Sequence, residues 1–142
     1  MKPPTLKSRN GAAVDEVTVK AFRRGFYGQA LLPGNVGYDS ARRIWNASID
    51  KHPGLIARCS GAVDVVRAVK FSRANHLLVG VKSGGHNVAG RALCDDGIVI
   101  DLSAMNRVSV DPELRVVRVQ AGALLGDVDR ETHSHGLGLV RK

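Results

Sequence analysis

The residues best equipped for chemistry are Lys82-Ser83-Gly84-Gly85-His86-Asn87, which follow an apolar run and precede Gly90. Adjacent glycines open backbone angles closed to other residues and let a ligand come close to the main chain. Successive amide N–H groups in such a turn make a concave anion site. Ser83 and Asn87 add hydrogen-bonding side chains, and Lys82 adds a compact positive charge. A diphosphate is the natural guest. A glycine turn that only joins two elements is the competing reading. Two other glycine motifs are excluded. GxGxxG is absent because Gly84 and Gly85 are adjacent, and Arg91-Ala92 stands where a P-loop needs Lys-Ser/Thr after Gly90.

His86 beside the glycines is either a local hydrogen-bonding residue of the turn or a functional imidazole. His133 and His135 lie two apart, which points them away from each other on a helix, so no zinc site or other metal is expected. His52 and His76 fall at element ends and receive no role. Asp95-Asp96 reads as a loop, and no GxSxG or Cys/His constellation is present. Cys59 and Cys94 are too few for a disulfide framework and are expected to be reduced.

The elements that must position the loop belong to a chain of 142 residues with a net charge of +8, 44% hydrophobic and 24% charged. Those values suit one globular domain. No apolar run approaches the ~18 residues of a spanning helix, nor a secretory leader, so a cytoplasmic protein off the membrane is expected. Half of the excess charge, +4, falls in residues 1–30, with Pro3-Pro4 and no sustained period. That head reads as a basic, flexible extension.

From Asp39 to Ile49, Ala41, Ile44, Trp45 and Ser48 recur at helical spacing, which predicts a helix ended by Pro53-Gly54. Residues 55–59 and 77–81 read as buried strands around a helix from Ala62 to Asn75, with Val65, Val66 and Val69 inward and Asp64 in the first turn. This is a strand–helix–strand unit with parallel strands. Residues 97–102 form a third, central strand. Asp111-Pro112 predicts a hairpin turn between 107–110 and 115–120, and Leu124, Leu125, Val128 and Thr132 share the face of a last helix that Gly136 ends.

The motifs become more specific in their order. Tyr38-Asp39-x-Ala41-Arg42-x-x-Trp45-Asn46 is followed by Pro53-x-Leu55-Ile56-x-Arg58-Cys59 and Asp64-Val65-Val66-x-Ala68-Val69. Ser83-Gly84-Gly85-His86-Asn87-x-x-Gly90, Asp101-Leu102-Ser103-x-Met105 and Val119-Gln120-x-Gly122-Ala123-x-x-Gly126-Asp127-Val128 come next. Over residues 30–140 this closely resembles the N-terminal half of the PCMH-type FAD-binding domain of the vanillyl-alcohol oxidase superfamily. Within it, the berberine-bridge-enzyme-like bacterial oxidoreductases are the nearest likeness.

The resemblance implies an α+β fold. Its N-terminal βαβ subdomain is joined to the first strands and helix of a second subdomain, with residues 31–142 as the N-terminal part of the domain. It implies FAD as cofactor, a small-molecule substrate, and pyrophosphate contacts from Ser83, Gly84, Gly85 and Asn87, with Lys82 and Gly90 in the same loop. The family usually has Arg where Lys82 stands, which keeps the charge and loses the bidentate geometry. The family histidine at His86 is often bonded to the 8α-methyl carbon of the flavin, so His86 becomes a candidate for covalent attachment. The resemblance also implies a longer chain: members continue past Val140 with the remainder of the flavin domain and a substrate domain. Some carry a second flavin link through a cysteine that neither Cys59 nor Cys94 matches. The expected function is FAD binding within an oxidoreductase that removes hydride from a C–H next to O or N. Alternatives are a truncated non-catalytic flavin fragment and a small basic nucleic-acid-binding protein. The last lacks interleaved aromatics, so no nucleic-acid partner is expected.

Overall fold

The computed structural model describes residues 5–139, so Pro3-Pro4, Lys2 and the terminal Arg141-Lys142 lie outside the described residues. The elements in chain order are α1 (Glu16–Arg24), β1 (Gln29–Leu31), α2 (Tyr38–Ala41), β2 (Leu55–Arg58) and α3 (Ala62–Ala74). They continue with β3 (Val79–Lys82), β4 (Ile98–Asp101), β5 (Val108–Asp111), β6 (Val116–Val119) and α4 (Leu125–His133). The fold is α+β.

The main sheet runs β1-β2-β4-β3, with β4 parallel to both β2 and β3 and β1 antiparallel on the far side of β2. The strands that flank α3 are therefore parallel but not adjacent, because β4 inserts between them. Its four residues are all buried, which explains their unbroken apolar run up to Asp101. Side chains alternate across the sheet. Leu55, Ala57, Ile98 and Ile100 pack with Ala68 of α3 on one face. Ile56 and Val99 pack with Leu31, Tyr38, Ala41 and Leu93 on the other. The β5–β6 hairpin stands apart as a second sheet, its turn held by Leu114 N donating to Asp111 Oδ1 at 3.0 Å.

Residues 5–30, expected to be part of a flexible extension, are folded into this core. Asp15 caps α1 by accepting from Thr18 N at 2.8 Å. Leu6, Val19 and Phe26 are buried, and Phe22 stacks on Phe71 of α3 with ring centroids 4.4 Å apart. Val19 and Phe22 share one face of α1 and Phe26 follows its C-cap, and the neighbouring Lys20, Arg23 and Arg24 conceal these three in a charge count.

Two further expectations change. The helix predicted over 39–49 stops at Ala41, because the chain beyond it bonds to other parts of the molecule. Arg42 pairs with Asp39 and Asp50, and Trp45 N donates to Gly85 O at 3.0 Å instead of to its own turn. In α3 the fully buried residues are Asp64, Ala68 and Ser72, and Val65 packs against the core as expected, whereas Val66 and Val69 are exposed. Asp64 sets that rotation. Its carboxylate, 1% exposed, accepts from Tyr27 N, Gly28 N and Ser60 N, each at 2.9 Å, and from Ser60 Oγ at 2.6 Å. It thereby ties the start of α3 to the chain entering β1.

Burial alone would raise the Asp64 pKa, but the bonds from Ser60, Tyr27 and Gly28 outweigh it and hold the carboxyl below its ordinary value. A lowered folded-state pKa contributes stability above the unfolded value of about 3.9 and loses it as pH falls further. Urea midpoints measured from pH 7 to pH 2 should therefore drop below about pH 4 in the native chain. Asp64→Asn should lack that part of the drop. Asp64→Ala should cost about 3 kcal/mol at pH 7 by leaving buried donors unpaired.

Candidate functional site

The parallel strands β2, β4 and β3 end in one row across the sheet, Arg58, Asp101 and Lys82. Asp101 is fully buried, with its Oδ2 3.4 Å from Arg58 Nε and 3.8 Å from Lys82 Nζ, while Oδ1 accepts from Ser103 N at 2.9 Å. Lys82 Nζ also donates to Ala41 O at 2.6 Å. Burial draws the Lys82 pKa below the ordinary lysine value, and the opposing pull of Asp101 offsets only part of that. Its ammonium thus joins the end of α2 to the carboxyl end of β4.

Residues 83–90 emerge directly from this row. Gly85 has φ +73, a conformation suited to glycine, and at Gly84 a Cβ would lie 2.8 Å from Leu124 Cδ2 and 3.2 Å from His86 Cδ2. The carbonyls of Gly85, Val88 and Gly90 are taken by Trp45 N, Asn46 Nδ2 and Lys51 Nζ at 3.0, 2.8 and 3.1 Å. The amides behave oppositely. Among the described residues, the N–H groups of residues 84–89 donate to no protein acceptor. The loop is therefore polarised, with carbonyls bound to the protein and amides left for a ligand's oxygens.

Two adjoining clefts open on this loop. The larger, about 740 Å³, is lined by Val81, residues 83–87, Ala92 and residues 123–126. The second, about 530 Å³, is bounded by Arg43, Ile44, Trp45, Lys82, Ser103, Asn106 and Gly122. It shares Ser83, Gly84, His86 and Leu124 with the first. Paired clefts of this volume, mainly apolar with a band of free donors, suit an elongated ligand with an anionic middle and a planar ring.

Comparison with known proteins now decides the family. The FAD binding domain family matches residues 53–140. This chain belongs to it. The (R)-6-hydroxynicotine oxidase of Paenarthrobacter nicotinovorans is 38% identical over 113 residues, 80% of this chain and 25% of that protein. An FAD-linked oxidoreductase of Dictyostelium discoideum is 34% identical, covering 85% of this chain and 26% of its own. The crystal structure of 6-hydroxy-D-nicotine oxidase from Arthrobacter nicotinovorans superposes with a TM-score of 0.76 at 37% identity, over 78% of this chain and 24% of that one. A berberine-bridge-enzyme-like protein of Physcomitrella patens, 20% identical with a TM-score of 0.72 over 79% of this chain and 25% of that one, shares the fold. The chain spans about a quarter of the length of these relatives. FAD is the cofactor of the family, as the order of motifs implied.

The residues singled out from sequence do not all reach the clefts in the same way. Ser83, Gly84, Gly85, His86 and Asn87 line the larger one. Within them, Ser83 Oγ donates to Ala121 O, and Asn87 Oδ1 accepts from Arg91 N at 2.9 Å, so both side chains also shape the loop. Gly90 lies outside both clefts, where a Cβ would meet Ile49 Cγ2 at 2.7 Å. Lys82 borders the second cleft with its ammonium engaged as above. Arg43, exposed and in no ion pair among the described residues, brings the available positive charge.

Sequence reasoning missed Arg43, Trp45 and Asn106, along with Leu124 and Leu125, which were placed on a buried helix face. Those two leucines are 48% and 58% exposed, and only Val128 and Thr132 turn inward. The Gly122-Ala123-x-x-Gly126 spacing already carried the family resemblance and was the signal that could have placed them at the site.

Cys59 and Cys94 are buried free thiols, and burial pushes the Cys59 pKa up to about 12, which makes a nucleophilic thiolate there ineffective. Among the described residues no group of three or more His, Cys, Asp or Glu could hold a metal ion. Replacing Lys82 by Met should cost about 3 kcal/mol in a urea titration, because Asp101 loses a buried partner.

Proposed function

We propose that the loop of residues 83–87 and the free amides of residues 84–89 hold the pyrophosphate of FAD, with Arg43 supplying charge and His86 facing the flavin ring. One observation carries the reading: a run of unpaired loop amides opens into a ligand-sized cleft in a chain of the FAD binding domain family. The residues present fit the group. The glycines leave room for the main chain to approach phosphate oxygens, and the apolar Val81, Leu124 and Leu125 suit its ring systems.

The bound flavin would supply two-electron redox chemistry, and the protein would orient it and exclude side reactions. His86 is the candidate point of covalent attachment through an imidazole nitrogen. Attachment would join that nitrogen to the 8α-methyl carbon with loss of one hydrogen from each, the two hydrogens and two electrons passing to dioxygen as hydrogen peroxide, and would hold the ring in register with the loop.

In the whole protein this site would serve an FAD-dependent oxidoreductase that takes a hydride from a C–H next to oxygen or nitrogen and acts on a small molecule. The names of the relatives, oxidases and oxidoreductases, support that class. The 142-residue chain alone would bind flavin without turning over substrate, since it spans a quarter of their length.

Asn87→Asp tests the anion site with little change of shape, because an aspartate oxygen can still accept from Arg91 N. Titration of the chain into FAD, followed by flavin fluorescence, should show binding that this variant weakens about tenfold, or about 1.4 kcal/mol. Equal affinity in both chains, or no binding by the native one, would remove the reading. After acid precipitation of FAD-loaded chain, yellow colour should remain in the pellet and be lost with His86→Ala; complete release would rule out attachment.

A further inference from the structure

Trp45 is the sole tryptophan of the chain and is 70% exposed, although large apolar side chains are normally covered. Its position is nevertheless closely determined. Trp45 N is bonded to Gly85 O, the residue before His86. Asn46 Nδ2 is bonded to Val88 O, two residues after it, at 2.8 Å. The Trp45–Asn46 pair therefore grips the loop on both sides of His86. The indole lies nearly parallel to the imidazole, with an interplanar angle of 25° and ring centroids 6.5 Å apart. On the loop side, the imidazole folds back over Gly84, where a Cβ would come within 3.2 Å of Cδ2 and 3.8 Å of Nε2.

His86 itself is exposed, and among the described residues its ring nitrogens make no hydrogen bond. A functional imidazole is usually oriented by a carboxylate or a carbonyl on its second nitrogen. Here the near-parallel indole of Trp45 and the bare Gly84 beside the ring take that place. Both rings also border the second cleft.

We propose that Trp45 is a positioning residue that holds the His86 imidazole over Gly84 and presents it to a planar ring bound in the clefts. The inference rests on the reading of this loop as a flavin cradle. The contact between rings is weak by itself, and its effect is to narrow the orientations open to an otherwise unrestrained imidazole.

The test uses the 142-residue chain and its variants Trp45→Ala and Trp45→Phe. Diethyl pyrocarbonate modification is followed at each histidine by peptide mass spectrometry, with His76, which precedes β3 and lines neither cleft, as the internal standard. The ratio of His86 to His76 reactivity should rise about fivefold in Trp45→Ala, the order a ring contact supplies, and return to within twofold of native in Trp45→Phe. Loss of folding would raise both sites together and leave the ratio flat. Trp45 emission should change with His86→Ala and not with His76→Ala.

A parallel arm loads each chain with FAD and measures acid-stable flavin. The acid-stable fraction of the flavin that each chain binds should fall severalfold in Trp45→Ala and stay near native in Trp45→Phe. An unchanged reactivity ratio in Trp45→Ala, with His76 itself reacting at its native rate, would overturn the positioning role. Absence of acid-stable flavin from the native chain would count against attachment at His86, while the reactivity ratio would still decide the role of Trp45.

Discussion

The site depends on a single buried carboxylate. Asp101 closes the carboxyl ends of three parallel strands by facing Arg58 on one side and Lys82 on the other, and by accepting from Ser103 N. A charge with no exposure to water is tolerable only when partners surround it, so the three strand ends must stay in register. Residues 83–90 leave the sheet immediately after Lys82, and the chain after Ser103 leads toward Asn106 and Gly122 at the second cleft. Slippage of β3 against β4 would separate Lys82 from Asp101 and move the whole glycine loop.

The loop then divides its backbone by function. Its carbonyls accept from Trp45, Asn46 and Lys51, which come from the segment between α2 and β2, and this leaves the amides on the open side. The division explains why the helix predicted over 39–49 stops early. Had it continued, Trp45 N would be used within its own turn and Gly85 O would have no donor. Helical propensity yields to a bond that shapes the site.

Much of the fold was legible in the residues. The apolar runs at 55–59 and 97–102, the glycine loop between strands and the Asp-Pro turn all depend on neighbours in sequence, and each forms close to where its pattern lies. The order of those motifs also carried the family. The rotation of α3 was not legible, because Val66 and Val69 outweigh one aspartate in any count of hydrophobicity. The fate of the head was hidden for a similar reason: its basic residues dominate the composition while Val19, Phe22 and Phe26 make the contacts.

The sequence by itself determined that a turn of paired glycines would follow an apolar strand and leave amides able to meet an anion. That is a local property, set by residues without side chains and by the strand that precedes them. The strand itself, expected to be buried, lies at the sheet edge with Val79 and Val81 exposed. Only the tertiary structure decided which charges could serve. Lys82 is claimed by Ala41 and Asp101, while Arg43 and Trp45, distant in sequence, border the cleft, and Trp45 is bonded across the fold to Gly85. The physical reason is that a charge or a ring acts through distance and burial, and neither is set until separate segments of the chain pack together.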